Sequence, residues 1–212
     1  MADESEITLK RIERRIIEIR IEGTAPLIMS RFSEKAKQQM LDAQMGKTRQ
    51  KKEPKDPEQE YLRSIHRLSD GSPGFPCVAF KSATIGAARY FEGITMTTLR
   101  RGMFFMGEGP DQLVRIIGEP KRREDMVRIA GKTADLRFRA QFDEWQAILR
   151  IAYVPIVVSH ESLVALVDGG GMSGVGEWRP GKSDSGSFGT YRVVGDDDAG
   201  DTDDPPLAAA RP

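Results

Sequence analysis

WQAILRIAYVPIVVSHESLVALVDGGGMSGVGEWRPGKSDSGSFGTYRV, residues 145–193, is the stretch that decides the fold. Residues 147–158 are apolar and rich in β-branched side chains, which predicts a strand. Residues 161–168 carry an apolar side, which predicts a helix that the glycines at 169–171 bring to an end. A polar, glycine-rich loop then leads to a closing strand at 188–194. The segment therefore predicts the order strand, helix, glycine loop, strand.

The glycine loop combines flexible backbone with cationic and aromatic side chains. Glycine lets backbone N–H groups approach a ligand closely, and successive N–H groups in a turn form a concavity that binds anions. Trp178 and Arg179 are adjacent in the loop, and Lys182 follows three residues later. Tryptophan is often only partly buried, so a contact or interface role is as well founded here as a core role. We predict phosphate or base contacts for Gly174, Gly176, Trp178, Arg179 and Lys182.

The net charge of zero is the sum of two unlike regions. Residues 195–212 contain six aspartates and one arginine, so residues 1–194 hold 31 basic and 26 acidic residues, a net charge of +5. We predict a single domain over 1–194 and a disordered acidic tail over 195–212. Such charge asymmetry is typical of nucleic-acid-binding proteins, and a tail that merely favours solubility is the alternative interpretation.

The amino-acid composition indicates the class of protein and the cellular compartment in which it is expected. The chain has 212 residues, of which 39% are hydrophobic and 30% charged, as expected for a globular domain with a modest core. No apolar run approaches the roughly 18 residues needed to cross a bilayer, and the charged N-terminus lacks the apolar region of a secretory signal. Cys77 is the only cysteine, which fits a reducing compartment. We therefore expect a cytoplasmic protein without a membrane partner.

Residues 33–60 form the most charged part of the chain. Ser33 is a helix N-cap residue for a helix ending at Gly46, and the residues that follow are almost entirely polar, with two prolines. We predict that 33–60 is a mobile, charged, finger-like insertion. It would bring Lys35 and Lys37 to phosphates, and Phe32 just before it would offer a ring for base stacking.

The remaining elements favour an α+β fold. We predict a half-buried strand from the alternation of isoleucine with charged residues at 12–22, a short buried strand at 75–80, a helix at 81–94, and two short strands at 102–109 and 112–120. The phenylalanines at 80, 104 and 105 lie in apolar runs, which predicts a core position for all three.

An arginine-rich segment occupies residues 121–139. The alternation Arg137-Phe138-Arg139 predicts a strand with an exposed basic face. We therefore add Arg137 and Arg139 to the predicted phosphate contacts. Together with the finger and the glycine loop, this segment would give three basic elements that converge on one surface.

Motifs that would indicate catalysis fail their structural requirements. The glycines at 169, 171 and 174 have dinucleotide-fingerprint spacing but follow a helix, and MGKT and AGKT lack the upstream glycine of a P-loop. His160-Glu161 lacks a second histidine, and SDSGS at 183–187 is a polar turn of small residues. We expect no catalytic residue, no metal and no cofactor. A carboxylate-bound magnesium in a nuclease is the weakest of the alternatives.

The closing segment resembles the end of the RAMP superfamily, the ferredoxin-like proteins that form the backbone subunits of CRISPR effector complexes. In that family a last helix runs into a glycine-rich loop that contacts RNA phosphates and leads into the closing strand; GGGMSGVGEWRPGKSDSGSFGTYRV at 169–193 occupies that position. The family also has a mobile insertion early in the chain, comparable to 33–60. The resemblance, over 12–30 and 145–194, implies a ferredoxin-like (RAMP/RRM-type) antiparallel sheet core with a charged finger and a glycine loop before the last strand.

The strings PLIMSRFSEKA (26–36) and GVGEWRP (174–180) also resemble small proteins of phages and prophages. The tail GDDDAGDTDDPP resembles the acidic tails through which single-strand DNA-binding proteins recruit replication or recombination partners. We therefore predict a non-enzymatic protein that binds single-stranded DNA or RNA and assembles along the strand as a homo-oligomer or filament. The role would be phage single-strand binding or annealing, or RAMP-like RNA binding. The alternative is a phage structural or assembly subunit that does not bind nucleic acid.

Overall fold

The computed structural model describes residues 11–31, 34–47, 54–129, 133–182 and 186–195, which form ten strands and five α-helices. The strands are β1 (Arg15–Gly23), β2 (Leu27–Met29), β3 (His66–Arg67), β4 (Pro73–Pro76), β5 (Met103–Met106), β6 (Leu113–Arg115), β7 (Pro120–Ile129), β8 (Thr133–Phe142), β9 (Gln146–Tyr153) and β10 (Tyr191–Val193). The helices are α1 (Glu34–Gln44), α2 (Pro57–Ser64), α3 (Cys77–Gly86), α4 (Met96–Gly102) and α5 (His160–Ser173), with a 3₁₀ turn at Ala87–Tyr90.

The largest sheet has four strands in the order β10-β1-β9-β5, and every neighbouring pair is antiparallel. Successive side chains on a strand point to opposite faces, so the alternating isoleucines of β1 can all reach one side. Ile19 and Ile21 are buried, whereas Glu18 and Arg20 are exposed. The half-buried strand predicted from this alternation is confirmed, and it lies inside the sheet between β10 and β9.

Helices α3 and α5 cover one face of this sheet and pack against each other. Ser159 caps α5 by accepting a hydrogen bond from the backbone N–H of Ser162 at 3.1 Å. The helix does not end at the glycines, as predicted, but continues to Ser173. A Cβ on Gly170 would lie 2.9 Å from the backbone nitrogen of Thr84, and one on Gly171 would lie 1.8 Å from the carbonyl oxygen of Tyr191. Because these two glycines have no Cβ, α5 can approach α3 and β10 closely at this point.

A second sheet, β2-β8-β7, is built on a long antiparallel hairpin. The three residues of β2 are fully buried, and α2 packs across β8. The hydroxyl of Ser64 accepts a hydrogen bond from the backbone N–H of Ala140 at 2.8 Å, and Tyr61 donates to the carbonyl of Pro120 at 3.0 Å. These contacts fix α2 on the hairpin. A third, small sheet has the order β3-β4-β6.

Mixed helices and antiparallel sheets make the fold α+β. The short strands predicted at 102–109 and 112–120 are confirmed as β5 and β6. The buried strand predicted at 75–80 is wrong from residue 77 on, because β4 ends at Pro76 and α3 begins at Cys77. Within the described ranges, no helix is long and apolar enough to span a membrane.

The predicted insertion at 33–60 contains two helical segments. α1 is helical to Gln44, and Gly46 follows it with φ of 72°. α2 starts at Pro57, where the carboxylate of Asp56 accepts hydrogen bonds from two backbone N–H groups of its first turn. Residues 57–60 therefore belong to a helix that packs on the hairpin, although the sequence analysis placed them in the charged insertion. Residues 48–53, and the acidic tail from 196 onward, lie outside the described part of the chain.

Candidate functional site

Backbone hydrogen bonds fix the loop between α5 and β10. Its two halves are joined by Val175 N–H to the carbonyl of Gly189 at 2.9 Å and by Phe188 N–H to the carbonyl of Trp178 at 3.1 Å. The loop is also attached to the chain around β2, through Glu177 N–H to the Ile28 carbonyl at 3.0 Å and Gly189 N–H to the Pro26 carbonyl at 2.8 Å. The side chains of the loop are therefore displayed on a defined frame.

Gly174 and Gly176 both have structural roles in this frame. The Gly174 N–H donates to the carbonyls of Gly170 and Gly171, each at 3.2 Å, and so caps α5. Both glycines have positive φ, 65° and 84°, and a Cβ on Gly176 would lie 2.6 Å from the carbonyl oxygen of Ile28. A phosphate contact by the Gly174 amide, as predicted, would require the helix cap to open.

Trp178 is presented in an unusual backbone conformation. Its φ is 55°, a left-handed value that few residues other than glycine adopt, and 37% of the residue is exposed. Such conformations cost of order 1–3 kcal/mol each and cluster at ligand-binding sites. The loop thus holds a strained, partly exposed indole at the position that the sequence assigns to a contact residue.

The two predicted cations of the loop follow Trp178 in the sequence, and each contacts another residue of the loop. Arg179 donates from Nη1 to the carbonyl of Gly176 at 2.6 Å. The Nζ of Lys182 lies 3.4 Å from the carboxylate of Glu177. Exposed ion pairs of this kind contribute about 0–1 kcal/mol. A phosphate could therefore replace Glu177 as the partner of Lys182 at little cost.

The structure corrects the basic face predicted for Arg137 and Arg139. Arg137 is exposed, and its Nε lies 3.6 Å from Asp135. Arg139 is only 5% exposed and donates to Asp125 at 3.2 Å. Arg123 donates to the other oxygen of Asp125 at 2.7 Å. Arg139 therefore belongs to a buried ion cluster inside the hairpin, because the antiparallel register brings Asp125 to the same face.

The glycine loop contacts the arginine hairpin through Phe188 and Arg123. The guanidinium carbon of Arg123 lies 4.8 Å from the centre of the Phe188 ring, and the same guanidinium donates to Gln141 at 2.7 Å. Two of the three basic elements predicted to converge are therefore in contact. This contact was not visible in the sequence, because neither Arg123 nor Phe188 stands out from the residues around it.

The third basic element is the predicted finger. Phe32 and the side chain of Lys35 lie outside the described residues. Lys37 is exposed on α1. Burial lowers the pKa of His66 to about 4, and the charges of Arg31 and Lys37 add to this effect.

Phe104 is a candidate contact residue that sequence reasoning missed. We predicted it to be core, but it is 39% exposed, whereas its neighbour Phe105 is buried. The charged groups of Arg14 and Lys81 each lie 5.4 Å from the centre of the Phe104 ring. Strand alternation was the available signal, since two adjacent phenylalanines on a strand must face opposite sides of the sheet.

Searches against known proteins give little similarity. No family model matches the sequence, and no curated protein matches it. Among solved structures, the crystal structure of Cmr6 from Pyrococcus furiosus aligns with a TM-score of 0.43 and 9% sequence identity, over 87% of this chain and 100% of that chain. A similarity of this size assigns neither fold family nor function.

Among the described residues, no group of three or more His, Cys, Asp or Glu side chains could hold a metal ion.

Proposed function

We propose that this protein binds single-stranded nucleic acid at the surface where the glycine loop meets the β7–β8 hairpin, and that it does so without catalysis. The observation that carries the proposal is Trp178, a partly exposed residue held at φ of 55° in the same loop as Arg179 and Lys182. An aromatic ring next to cations is the combination that single-strand binders use, with rings for bases and cations for phosphates.

The energetics favour exchange of the present contacts for a strand. Base stacking on an aromatic side chain contributes about 1–3 kcal/mol per base, whereas the pairing of Lys182 with Glu177 contributes at most about 1 kcal/mol. Phosphate contacts also release counterions, which adds affinity at low salt. Arg137, exposed on the adjoining hairpin, would extend the cationic surface.

The finer fold assignment is also a proposal. Taken in chain order, β1, α3, β5, β9, α5 and β10 form a βαββαβ series whose sheet order is β10-β1-β9-β5. This series supports a ferredoxin-like core of the RAMP/RRM type, with the hairpin and α2 as additions. The glycine loop precedes the last strand, as the resemblance to the RAMP superfamily implies.

The biological setting rests on the sequence. We propose a cytoplasmic phage or prophage protein that assembles along the strand. Its acidic tail would bind replication partners. The competing hypothesis is an assembly subunit, in which Trp178 and Arg179 would be interface anchors, because both residue types are enriched at binding hot spots.

The test is fluorescence anisotropy with labelled 40-mer DNA and RNA strands at two salt concentrations. We expect tight binding that weakens steeply with salt, and strong loss of binding in the double variant Arg179→Ala, Lys182→Ala. The matched control, Arg63→Ala with Arg89→Ala, removes the same charge from exposed positions on α2 and the 3₁₀ turn and should bind like the wild type.

Either of two results would remove the proposal. One is the absence of binding to both strands, which would favour the assembly subunit if sedimentation shows oligomers without nucleic acid. The other is an equal loss of binding affinity in the loop variant and in the control. Affinity would then depend on the net charge of the protein and not on the glycine loop.

A further inference from the structure

The four-stranded sheet has one open face. Helices α3 and α5 lie on the side of Ile19 and Leu149, whereas on the opposite side large apolar residues such as Ile16 and Ile148 are exposed. The side chains that point to this open face are, in strand order, Arg192 of β10, Ile16, Glu18, Arg20 and Glu22 of β1, Gln146, Ile148, Arg150 and Ala152 of β9, and Phe104 and Met106 of β5.

An apolar row crosses three strands of this face. In the antiparallel register Ile16 lies opposite Ala152, and Ala152 lies opposite Phe104. Ile16 is 58% exposed and Phe104 39% exposed. Adjacent strands are about 4.8 Å apart, so the row spans about 10 Å of flat surface. That is sufficient for a planar ring to lie on Phe104 with Ile16 at its edge.

Cations surround this apolar row. Arg14 and Lys81 each hold their charge 5.4 Å from the Phe104 ring centre. Arg150 and Arg20 follow on β9 and β1, and Arg192 lies at the far edge. The two acidic residues of the face are each paired, Glu22 with Arg192 at 2.6 Å and Glu18 with Arg150 at 3.9 Å. Lys81 belongs to α3 and reaches the Phe104 ring at the edge strand β5. With it, five cations and two carboxylates lie on or beside the face, which therefore complements a polyanion.

We propose that the open face of the sheet is a second contact surface for the same single strand, with a base stacked on Phe104 and phosphates at Arg14, Lys81 and Arg150. This inference rests on the proposed function and extends it to a surface away from the glycine loop. A protein partner fits the face less well, because the cores of protein interfaces are depleted of charged residues, and here the rows next to the apolar row carry Glu18, Arg150 and Arg20.

The existing contacts do not block this use of Phe104. At a protein surface, stacking of a base on an aromatic ring is stronger than the contact of a cation with that ring. Arg14 and Lys81 would move from the ring to the phosphates that flank the stacked base. The ring and the two cations are thus already grouped as a nucleotide would need them.

The experiment compares Phe104→Ala, Phe104→Leu and the double variant Arg14→Ala, Lys81→Ala with wild type, using anisotropy of a labelled 40-mer over a salt series. Loss of one stacked base should weaken binding about 5- to 150-fold in both Phe104 variants. Loss of two phosphate contacts should make the slope of log K against log salt less steep by about 1.4. Tyr90→Ala is the control, since Tyr90 is an exposed aromatic residue on the helical side, and it should bind like wild type.

The outcomes separate this inference from the proposed function. If wild type binds and all three variants bind equally well, the sheet face is not a contact surface, while the glycine loop keeps its assignment. If Phe104→Leu restores wild-type affinity, the ring does not stack on a base, and the inference falls. If wild type binds neither DNA nor RNA, both proposals fall together. Circular dichroism and thermal unfolding of each variant check that the fold is retained.

Discussion

Asp125 and Arg139 form a buried ion pair inside the β7–β8 hairpin, with 3.2 Å between the carboxylate Oδ2 and the guanidinium Nη1. The second oxygen of Asp125 accepts from Arg123, whose guanidinium in turn covers Phe188 of the glycine loop. A single carboxylate therefore compensates the charge of Arg139 and orients the arginine that joins the hairpin to the loop.

We predict that Asp125→Asn destabilises the protein strongly. Removing one partner of a buried pair leaves an uncompensated charge, here on Arg139, and costs about 3–5 kcal/mol. The free energy of unfolding, measured by urea denaturation, should fall by this amount. Asp143→Asn is the matched control, because Asp143 pairs with Lys121 at an exposed site and should cost at most about 1 kcal/mol. Similar losses in the two variants would contradict the buried pair.

The glycines of α5 lead to a second prediction. Gly171→Ala would bring a Cβ within 1.8 Å of the Tyr191 carbonyl oxygen, so β10 would have to move away from the helix. We expect a loss of about 2–3 kcal/mol or more in the free energy of unfolding, as for other overpacked positions. Gly169→Ala meets Ala87 at 3.3 Å instead, so the higher helix propensity of alanine, worth about 1 kcal/mol, should offset much of its cost. Unfolding curves that rank the two substitutions the other way would show that α5 does not lie this close to β10.

His66 gives a prediction about pH. Burial lowers its pKa from 6.5 to about 4, and the imidazole packs edge-on against Phe75 at 5.9 Å between ring centres. Between these two pH values the unfolded chain binds a proton at this position and the folded chain does not. Stability from this group is therefore complete above pH 6.5 and is lost progressively as the pH falls toward 4.

The measurement is an NMR titration of the His66 ring protons together with urea midpoints between pH 7 and pH 4.5. The variant His66→Gln should show a smaller decrease of the midpoint over this range. A titration midpoint near the ordinary histidine value would contradict the burial of the ring.

The secondary-structure elements that could be predicted from the sequence are those with a clear periodicity of apolar residues or a helix N-cap residue. The alternation at 12–22 gave β1, and the serine cap at 159 gave the start of α5. Both signals are local, because the polarity of a few neighbouring residues is sufficient to define them. The later end of α5 differs from the prediction, because Gly170 and Gly171 lie against Thr84 and Tyr191, which are distant in the sequence, and the local sequence shows only three helix-ending glycines.

The candidate site was predictable only in part, for the same reason. Trp178, Arg179 and Lys182 are recognisable in the sequence as an aromatic residue close to two cations, and in the structure Trp178 is exposed at the surface. The burial of Arg139 depends on Asp125, which the hairpin register brings to the same face. Exposure of Phe104 depends on which face of the sheet the helices cover. Residue type alone determines neither outcome.

The order of strands in the main sheet also bears on how the chain can be made. β1 is synthesised well before its partners β9 and β10, which begin at Gln146 and Tyr191. At translation rates of about 5–20 residues per second, β1 waits on the order of ten seconds for its first partner. During that time its isoleucine face has no sheet to join, which exposes the nascent chain to aggregation. A permuted chain that starts just before β9 would place these strands in succession and should fold faster.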